Sequence, residues 1–215
     1  MTTPFEGGVE RETKEGILLA DIAKAAGIKH FVYTSVGSAT RNTGIPHFDS
    51  KFKVEQHIKK LGLPYTILRP VFFMENLGTP WFLPQQGTLV VAMNPKTKIQ
   101  MISVKDIGEF AVAALIEPER FLGKEIELAG DSLTFPEVAD ILSKAMGQKV
   151  VFQQIPFDQV EKAAGHDMAL MFKWFNDVGY NVDIEALRKD YGIPLTKFTE
   201  VVATADWAKP HKVAT

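Results

Sequence analysis

The stretch from His30 to Asn76 limits the possible folds more than any other part of the chain. It reads HFVYTSVGS, then HFDSK, then YTILRPVFFMEN. A short, β-favouring apolar run ends in Thr34 and Ser35, and a helix start follows with Pro46 in its first turn. A second apolar run ends in Arg69 and Pro70. Strand, helix, strand, with polar groups gathered at the strand ends, is how an open α/β sheet builds a ligand crevice.

The flanking pattern agrees with that architecture. Residues 11–26 predict a helix with an apolar stripe of Leu18, Leu19, Ile22, Ala23 and Ala26, stopped by Gly27. The helix that starts at Pro46 carries Phe52, Val54, Ile58 and Leu61 and stops at Gly62. Residues 71–99 are irregular, broken by Pro80, Pro84, Gly87 and Pro95. A segment of this kind is either a functional loop or lid, or a plain surface excursion. Within it and at its end, 90–93 and 99–102 predict short strands.

Ser103 to Asp106 and Thr134 to Glu137 each resemble a capping box. The helix after the first carries Ile107, Phe110, Ala111, Ala114 and Leu115. The helix after the second carries Val138, Ile141, Leu142 and Ala145. Residues 125–129 and 150–155 predict strands. Beyond Pro156 the chain predicts helix, with Met168, Met171, Trp174 and Phe175 as a core stripe. Two shorter helices follow at 183–191 and 196–203, then a frayed tail from Trp207. Alternating strands and helices predict a parallel sheet with helical cover.

Composition narrows the functional classes. The 215 residues carry 24 basic and 26 acidic side chains, a formal net charge of −2, with no long basic run. Nothing here is an electrostatic footprint for nucleic acid. There is no cysteine, which excludes disulfides and thiolate metal sites and suits a reducing compartment. The histidines show no metal-ligand spacing. No window reaches the roughly 20 apolar residues of a membrane helix. The opening segment lacks the apolar core of a signal peptide. A soluble cytoplasmic protein without a membrane partner is expected.

Two groups of side chains could carry chemistry. Thr34 and Ser35 stand where a strand delivers hydroxyls to the crevice; the alternative is that they only cap the strand end. His47 and Lys51 are four residues apart, so they share one helix face. They are a candidate acid/base pair, in which the cation orients a ligand and biases its neighbour. The alternative is a solvated first turn.

These motifs, in this order, resemble the site of the short-chain dehydrogenase/reductase superfamily. The wording is similar to its NmrA-like branch: GILLADIAKAAGIKHFVYTSVG, IPHFDSKFKVEQHIKKLGLPYTILRPVFFMENL, ISVKDIGEFAVAAL and IELAGDSLTFPEVADILSKAMGQKV. The resemblance covers nearly the whole chain. It implies an α/β fold: a partial Rossmann-like parallel sheet lacking its first strands and glycine-rich loop, with a smaller C-terminal α/β lobe. Residues 1–76 would form the C-terminal half of an NAD(P)-binding domain. Residues 77–215 would form a substrate or partner lobe interleaved with the remaining strands.

By resemblance, Ser35 or Thr34 would lie near a nicotinamide ring and Lys51 would hydrogen-bond its ribose. Pro70, Phe73 and Asn76 would line the same end of an NADP or NAD cofactor. Ser35, His47 and Lys51 would be the catalytic set, with His47 standing where active members carry a tyrosine. The resemblance thus implies either an NAD(P)H-dependent oxidoreductase acting on a small molecule or a non-catalytic NADP-sensing module with a regulatory protein partner. A remnant with weak cofactor binding is the third alternative. Neither G-x-G-x-x-G nor G-x-x-G-x-x-G occurs, so the resemblance implies an N-terminally truncated member without the pyrophosphate site. The Phe31–Tyr33 strand would then be a sheet edge, and a homodimer through it is one way to cover that edge.

Overall fold

The computed structural model describes residues 3–4 and 6–209. In chain order the elements are α1 (Gly8–Ala25), β1 (Phe31–Thr34), α2 (Pro46–Lys60), β2 (Tyr65–Pro70), β3 (Phe72–Phe73), β4 (Thr88–Val91), β5 (Lys98–Ile102), α3 (Val104–Ile116), α4 (Pro118–Phe121), β6 (Glu125–Leu128), β7 (Asp131–Thr134), α5 (Phe135–Met146), β8 (Val151–Gln154), α6 (Phe157–Ala164), α7 (His166–Asp177), α8 (Ile184–Tyr191) and α9 (Phe198–Thr204). The chain divides into two compact units, Met1–Val71 with Ile107–Leu128, and Phe72–Asp106 with Ala129–Thr215.

The first unit holds the expected parallel sheet. Its strand order is β1-β2-β6, with Phe31 opposite Tyr65 and Ile67 opposite Glu125. Each parallel step crosses over through helix, as parallel pairing requires. Side chains alternate across the sheet. Tyr33 joins Ala20 and Ala23 of α1 and Val54 and Ile58 of α2 in one buried cluster, with Phe31 and Tyr65 packed against it. The register therefore puts Ile67, Arg69, Glu125 and Glu127 on the same face as Tyr65. On the other face, Leu68 is fully buried and Ile126 is almost so. There the Thr66 hydroxyl donates to the Phe121 carbonyl at 2.8 Å. Among the described residues, β1 pairs only with β2 and is the sheet's edge.

α1 corrects an expectation. Of the predicted stripe only Ala23 is buried; Leu18, Leu19 and Ile22 are 48–59% exposed, Ala26 is exposed too, and the buried face is Glu12, Gly16, Ala20 and Ala23. The reason is the close approach of two helices. A Cβ added at Gly16 would lie 2.6 Å from Val54 Cγ2, so only small residues fit that face. Leu115 departs in the same way: it is 60% exposed on α3, while Ile107, Phe110 and Ala114 turn inward.

The second unit contains two small sheets. β5 runs parallel to β3 and antiparallel to β7, while β4 and β8 pair in parallel. β7 was not foreseen. The box at the start of α5 is present as expected, with the Thr134 side chain accepting from Glu137 N and Glu137 returning to the Thr134 backbone. The box expected at Ser103–Asp106 is not. Glu75 takes the Ser103 hydroxyl and the Val104 N–H, while the Asp106 carboxylate accepts from Thr196 N at 2.7 Å and Thr196 Oγ1 at 2.6 Å. Ser103 Oγ still accepts from Lys105 N at 3.2 Å, so only the Asp106 half of the box has gone to a tertiary partner. Met171 and Phe175 are core as expected, in a chain of edge-on rings that includes Phe72, Phe172 and Trp174. The region past Pro156 is two helices, α6 and α7, separated by Gly165 at φ 88°. Part of the frayed tail expected from Trp207 lies outside the described residues.

The α1–α2 contact gives a direct test. Gly16→Val sets one stiff β-branched side chain against another at a buried position and should cost about 2 kcal/mol. Leu18→Ala on the open face should change stability by less than about 0.5 kcal/mol. Thermal melts of the two variants distinguish this packing from the predicted one, which reverses the order.

Candidate functional site

The loop after β1 is fixed from three directions. Ser35 N donates to Leu68 O at 2.7 Å and Gly37 N to Pro70 O at 2.8 Å, so the chain continues alongside β2 beyond the formal strand. Ser38 then turns into the left-handed region at φ 63°. Its N–H donates to both oxygens of Glu127, at 2.9 and 3.0 Å. Thr34, Ser35 and Pro70 are thus assembled at the carboxyl ends of neighbouring strands, where an α/β sheet presents its crevice.

Ser35 and Ser38 are 2% and 1% exposed, yet neither hydroxyl has a hydrogen-bond partner among the described residues. A buried hydroxyl left unpaired costs about 1–3 kcal/mol. The strand-capping alternative for Ser35 therefore fails. Both hydroxyls are carried on an otherwise pinned loop. The donor set suits the nicotinamide end of a dinucleotide, which offers an amide and ribose hydroxyls.

His47 and Lys51 lie on the first turns of α2 and are each 7% exposed, so the solvated-turn alternative fails as well. The Lys51 ammonium meets Glu12 Oε1 at 2.5 Å. The other Glu12 oxygen accepts from Ser50 Oγ at 2.5 Å, and Ser50 Oγ also reaches the His47 carbonyl at 3.1 Å. Glu12 is fully buried. The His47 ring packs edge-on to Phe48, with centroids 4.8 Å apart.

One helical turn further on, α2 carries Glu55, also fully buried. Arg69 reaches it in a two-pronged pair, Nε to Oε1 at 3.0 Å and Nη2 to Oε2 at 2.7 Å. Arg69 Nη2 also donates to Glu125, and Lys59 Nζ approaches the other Glu125 oxygen at 2.6 Å. Burial opposes the Arg69 charge, but Glu55 and Glu125 hold its pKa above the ordinary arginine value. Burial likewise pushes Glu125 upward, and the hydrogen bonds from Lys59 and Arg69 outweigh it, leaving that carboxyl below its usual range. Glu127 differs. Burial raises its pKa, and the Ser38 N–H and the Arg69 charge only partly offset the rise.

The other two predicted residues belong to the second unit. Phe73 is on β3, opposite Ile102. Asn76 sits in a 3-10 turn, Met74–Gly78, and its carbonyl accepts from Thr79 N and Thr79 Oγ1. The irregular 71–99 segment is not a bare excursion. With α6 and α7 it encloses an apolar cavity of about 190 Å³ whose lining includes Trp81, Phe82, Val91, Met168 and Phe172.

Glu12, Ser38, Glu55 and Glu127 escape a reading of the sequence alone. The one available signal is periodic. Glu12, Gly16, Ala20 and Ala23 recur at helical spacing as a small-residue face with a single acid in it.

Two outcomes test these charges. Arg69→Met leaves Glu55 buried without its partner and should cost about 3–5 kcal/mol, most of it recovered in Arg69→Met/Glu55→Met. For Glu127 the folded pKa exceeds the unfolded one. Its stabilising contribution is complete below the unfolded value and is lost as pH rises through the folded value. Melting temperature against pH should fall across that window in the unaltered chain, relative to Glu127→Gln. A constant difference between the two would refute the shift.

A model of the NmrA-like family matches residues 1–204. An NmrA-like family domain-containing protein of Dictyostelium discoideum is 26% identical over 200 residues, covering 83% of this chain and 64% of that one. The chain thus spans just under two thirds of that relative. The NADPH-dependent quinone oxidoreductase of Escherichia coli, solved with NADPH, superposes with TM-score 0.73 at 25% identity, covering 94% of this chain and 73% of its own. NmrA, a negative transcriptional regulator solved with NAD, gives TM-score 0.72 at 21% identity, with 96% and 75% covered.

Proposed function

The chain belongs to the NmrA-like family, and on that premise we propose that it binds the nicotinamide end of NADP(H) or NAD(H). One observation carries this reading. Ser35 and Ser38 hold buried, unpartnered hydroxyls on a loop fixed by β2 and Glu127. Ser35 would accept or donate a hydrogen bond at the nicotinamide amide, and Lys51 would donate to ribose hydroxyls. Affinity is expected to be modest. The sequence has no glycine-rich turn to receive the pyrophosphate at a helix N-terminus.

Two activities are compatible with such a site. The first is reduction of a small carbonyl or quinone by hydride from the bound cofactor. The Escherichia coli reductase supports it by likeness of sequence and fold. In that case His47 would move the proton that a tyrosine moves elsewhere in the family. The second is cofactor sensing without turnover, in which binding alters association with a protein partner. The imidazole at position 47 favours this reading, because its shape and reach differ from those of a phenol beside a lysine. A cysteine-free chain suits either activity in a reducing compartment. The open β1 edge gives self-association a route.

Calorimetric titration with NADPH and NADH decides the matter. Binding is expected, and Ser35→Val should weaken it about tenfold, the value of one buried hydrogen bond. Loss of reduced-nicotinamide absorbance with a quinone present selects the reductase. Binding without such loss selects the sensor. No heat with either nucleotide overturns the proposal.

A further inference from the structure

Three glutamates share the field of Arg69, and they are satisfied unequally. Glu55 takes the two-pronged pair, and Glu125 shares Arg69 with Lys59. Glu127, on β6, has a single hydrogen-bond donor among the described residues, the backbone N–H of Ser38, which spans both carboxylate oxygens at 2.9 and 3.0 Å. The charged groups that act on it come from three neighbouring elements. Arg69 on β2 and Arg41 in the turn Ala39–Arg41 favour its ionised form, and Glu55 on α2 opposes it. Burial opposes it most, so the carboxyl sits above its usual range.

The other end of this contact is held in an uncommon conformation. Ser38 has φ 63°, in the left-handed region that a serine rarely occupies. The residues before it are tied to β2 through Ser35 N and Gly37 N. Around Ser38 itself the backbone bonds are local, Ala39 N to Val36 O and Arg41 N to Ser38 O. Glu127 is the contact that joins Ser38 to the sheet. A charged acceptor holds an N–H about twice as strongly as a neutral one. Losing the charge weakens that hold without removing the acceptor, and a disfavoured turn persists only while its surroundings enforce it.

We propose that Glu127 is a positioning residue whose charge sets ligand affinity: ionised, it holds the loop that carries Ser35 and Ser38 in the binding arrangement, and protonated, it lets that loop relax. The inference rests on the cofactor-binding reading above and assigns Glu127 no contact with the ligand. Fold and site then favour opposite states of one carboxyl. The fold favours it neutral, which is the meaning of its raised pKa, and the site uses it charged. By reciprocity, a bound nucleotide draws the group toward its ionised form and releases a proton.

Calorimetric titration of the full chain with NADP, the acid-stable oxidised form, tests this as a function of pH. The unaltered chain should lose affinity on the order of tenfold as pH falls from neutrality through the folded pKa of Glu127. Glu127→Gln keeps an oxygen for the Ser38 N–H but carries no charge. It should bind about tenfold more weakly at neutral pH, and the two affinities should converge in acid. Titration of the nucleotide phosphate and of His47 is common to both chains and cancels in their ratio. A merely structural role gives a ratio that does not change with pH, and that outcome overturns the proposal. Because the fold favours the neutral group, Glu127→Gln should fold, and circular dichroism checks this. If it does not fold, the carboxyl carbon resonance of Glu127 in the unaltered chain carries the test. Its titration midpoint should fall by about one pH unit under saturating NADP, and an unmoved midpoint overturns the role of Glu127. Either negative result leaves the cofactor reading standing. Failure of the unaltered chain to bind NADP at any pH overturns both.

Discussion

A ladder of opposite charges along α2, buried at Lys51 and Glu55 and half-buried at Lys59, sets how that helix sits in the first unit. Lys51, Glu55 and Lys59 recur every fourth residue and so run along one side of the helix. Each meets its counter-charge on a different element: Glu12 on α1, Arg69 on β2 and Glu125 on β6. Packing alone could slide α2 over the sheet, since Val54 and Ile58 meet a fairly uniform apolar surface. The ladder cannot slide, because a shift of one turn would set lysine against arginine and leave carboxylates buried alone. The same pairs that fix the register of α2 also fix where its first turns stand, and those turns carry His47 and Lys51.

The candidate site inherits its order from that constraint. Glu127 belongs to the same charged face of the sheet, yet its carboxylate is spent on the Ser38 N–H. It clamps the loop that presents Ser35. The cost appears in its raised pKa and in two hydroxyls left without partners. Among the described residues these two hydroxyls stay unpaired beside a loop whose backbone is engaged, and the proposed cofactor reading rests on that contrast. This separates binding from chemistry. The elements proposed to grip a ligand are held by these pairs, whereas position 47 carries an imidazole where the resemblance leads one to expect a phenol.

Much of this was legible in the linear sequence. The parallel β1-α2-β2 unit followed from two short apolar runs bracketing a proline-started helix. The cap at Thr134 followed from a local rule that no tertiary partner disturbed. Local rules failed where a distant group offered more. Asp106 left its expected cap for Thr196, ninety residues away. Leu18, Leu19 and Ile22 lost the core to Gly16 and Ala20, because the nearness of a neighbouring helix is not written in either helix alone. Glu125 and Glu127 alternate with Ile126 and Leu128, a pattern that reads as a strand with one wet face. That face meets Arg69 instead.

The sequence by itself determined the class of fold, the family, and which residue types stand at the carboxyl ends of the strands. Periodicity and turn chemistry act over a few residues, and those statements need nothing longer. Only the tertiary structure decided that His47 and Lys51 are buried, that Ser35 caps nothing, and that Lys51 is held by Glu12. Burial and charge pairing depend on what lies opposite in space, and the partners here are separated by fourteen to ninety positions along the chain.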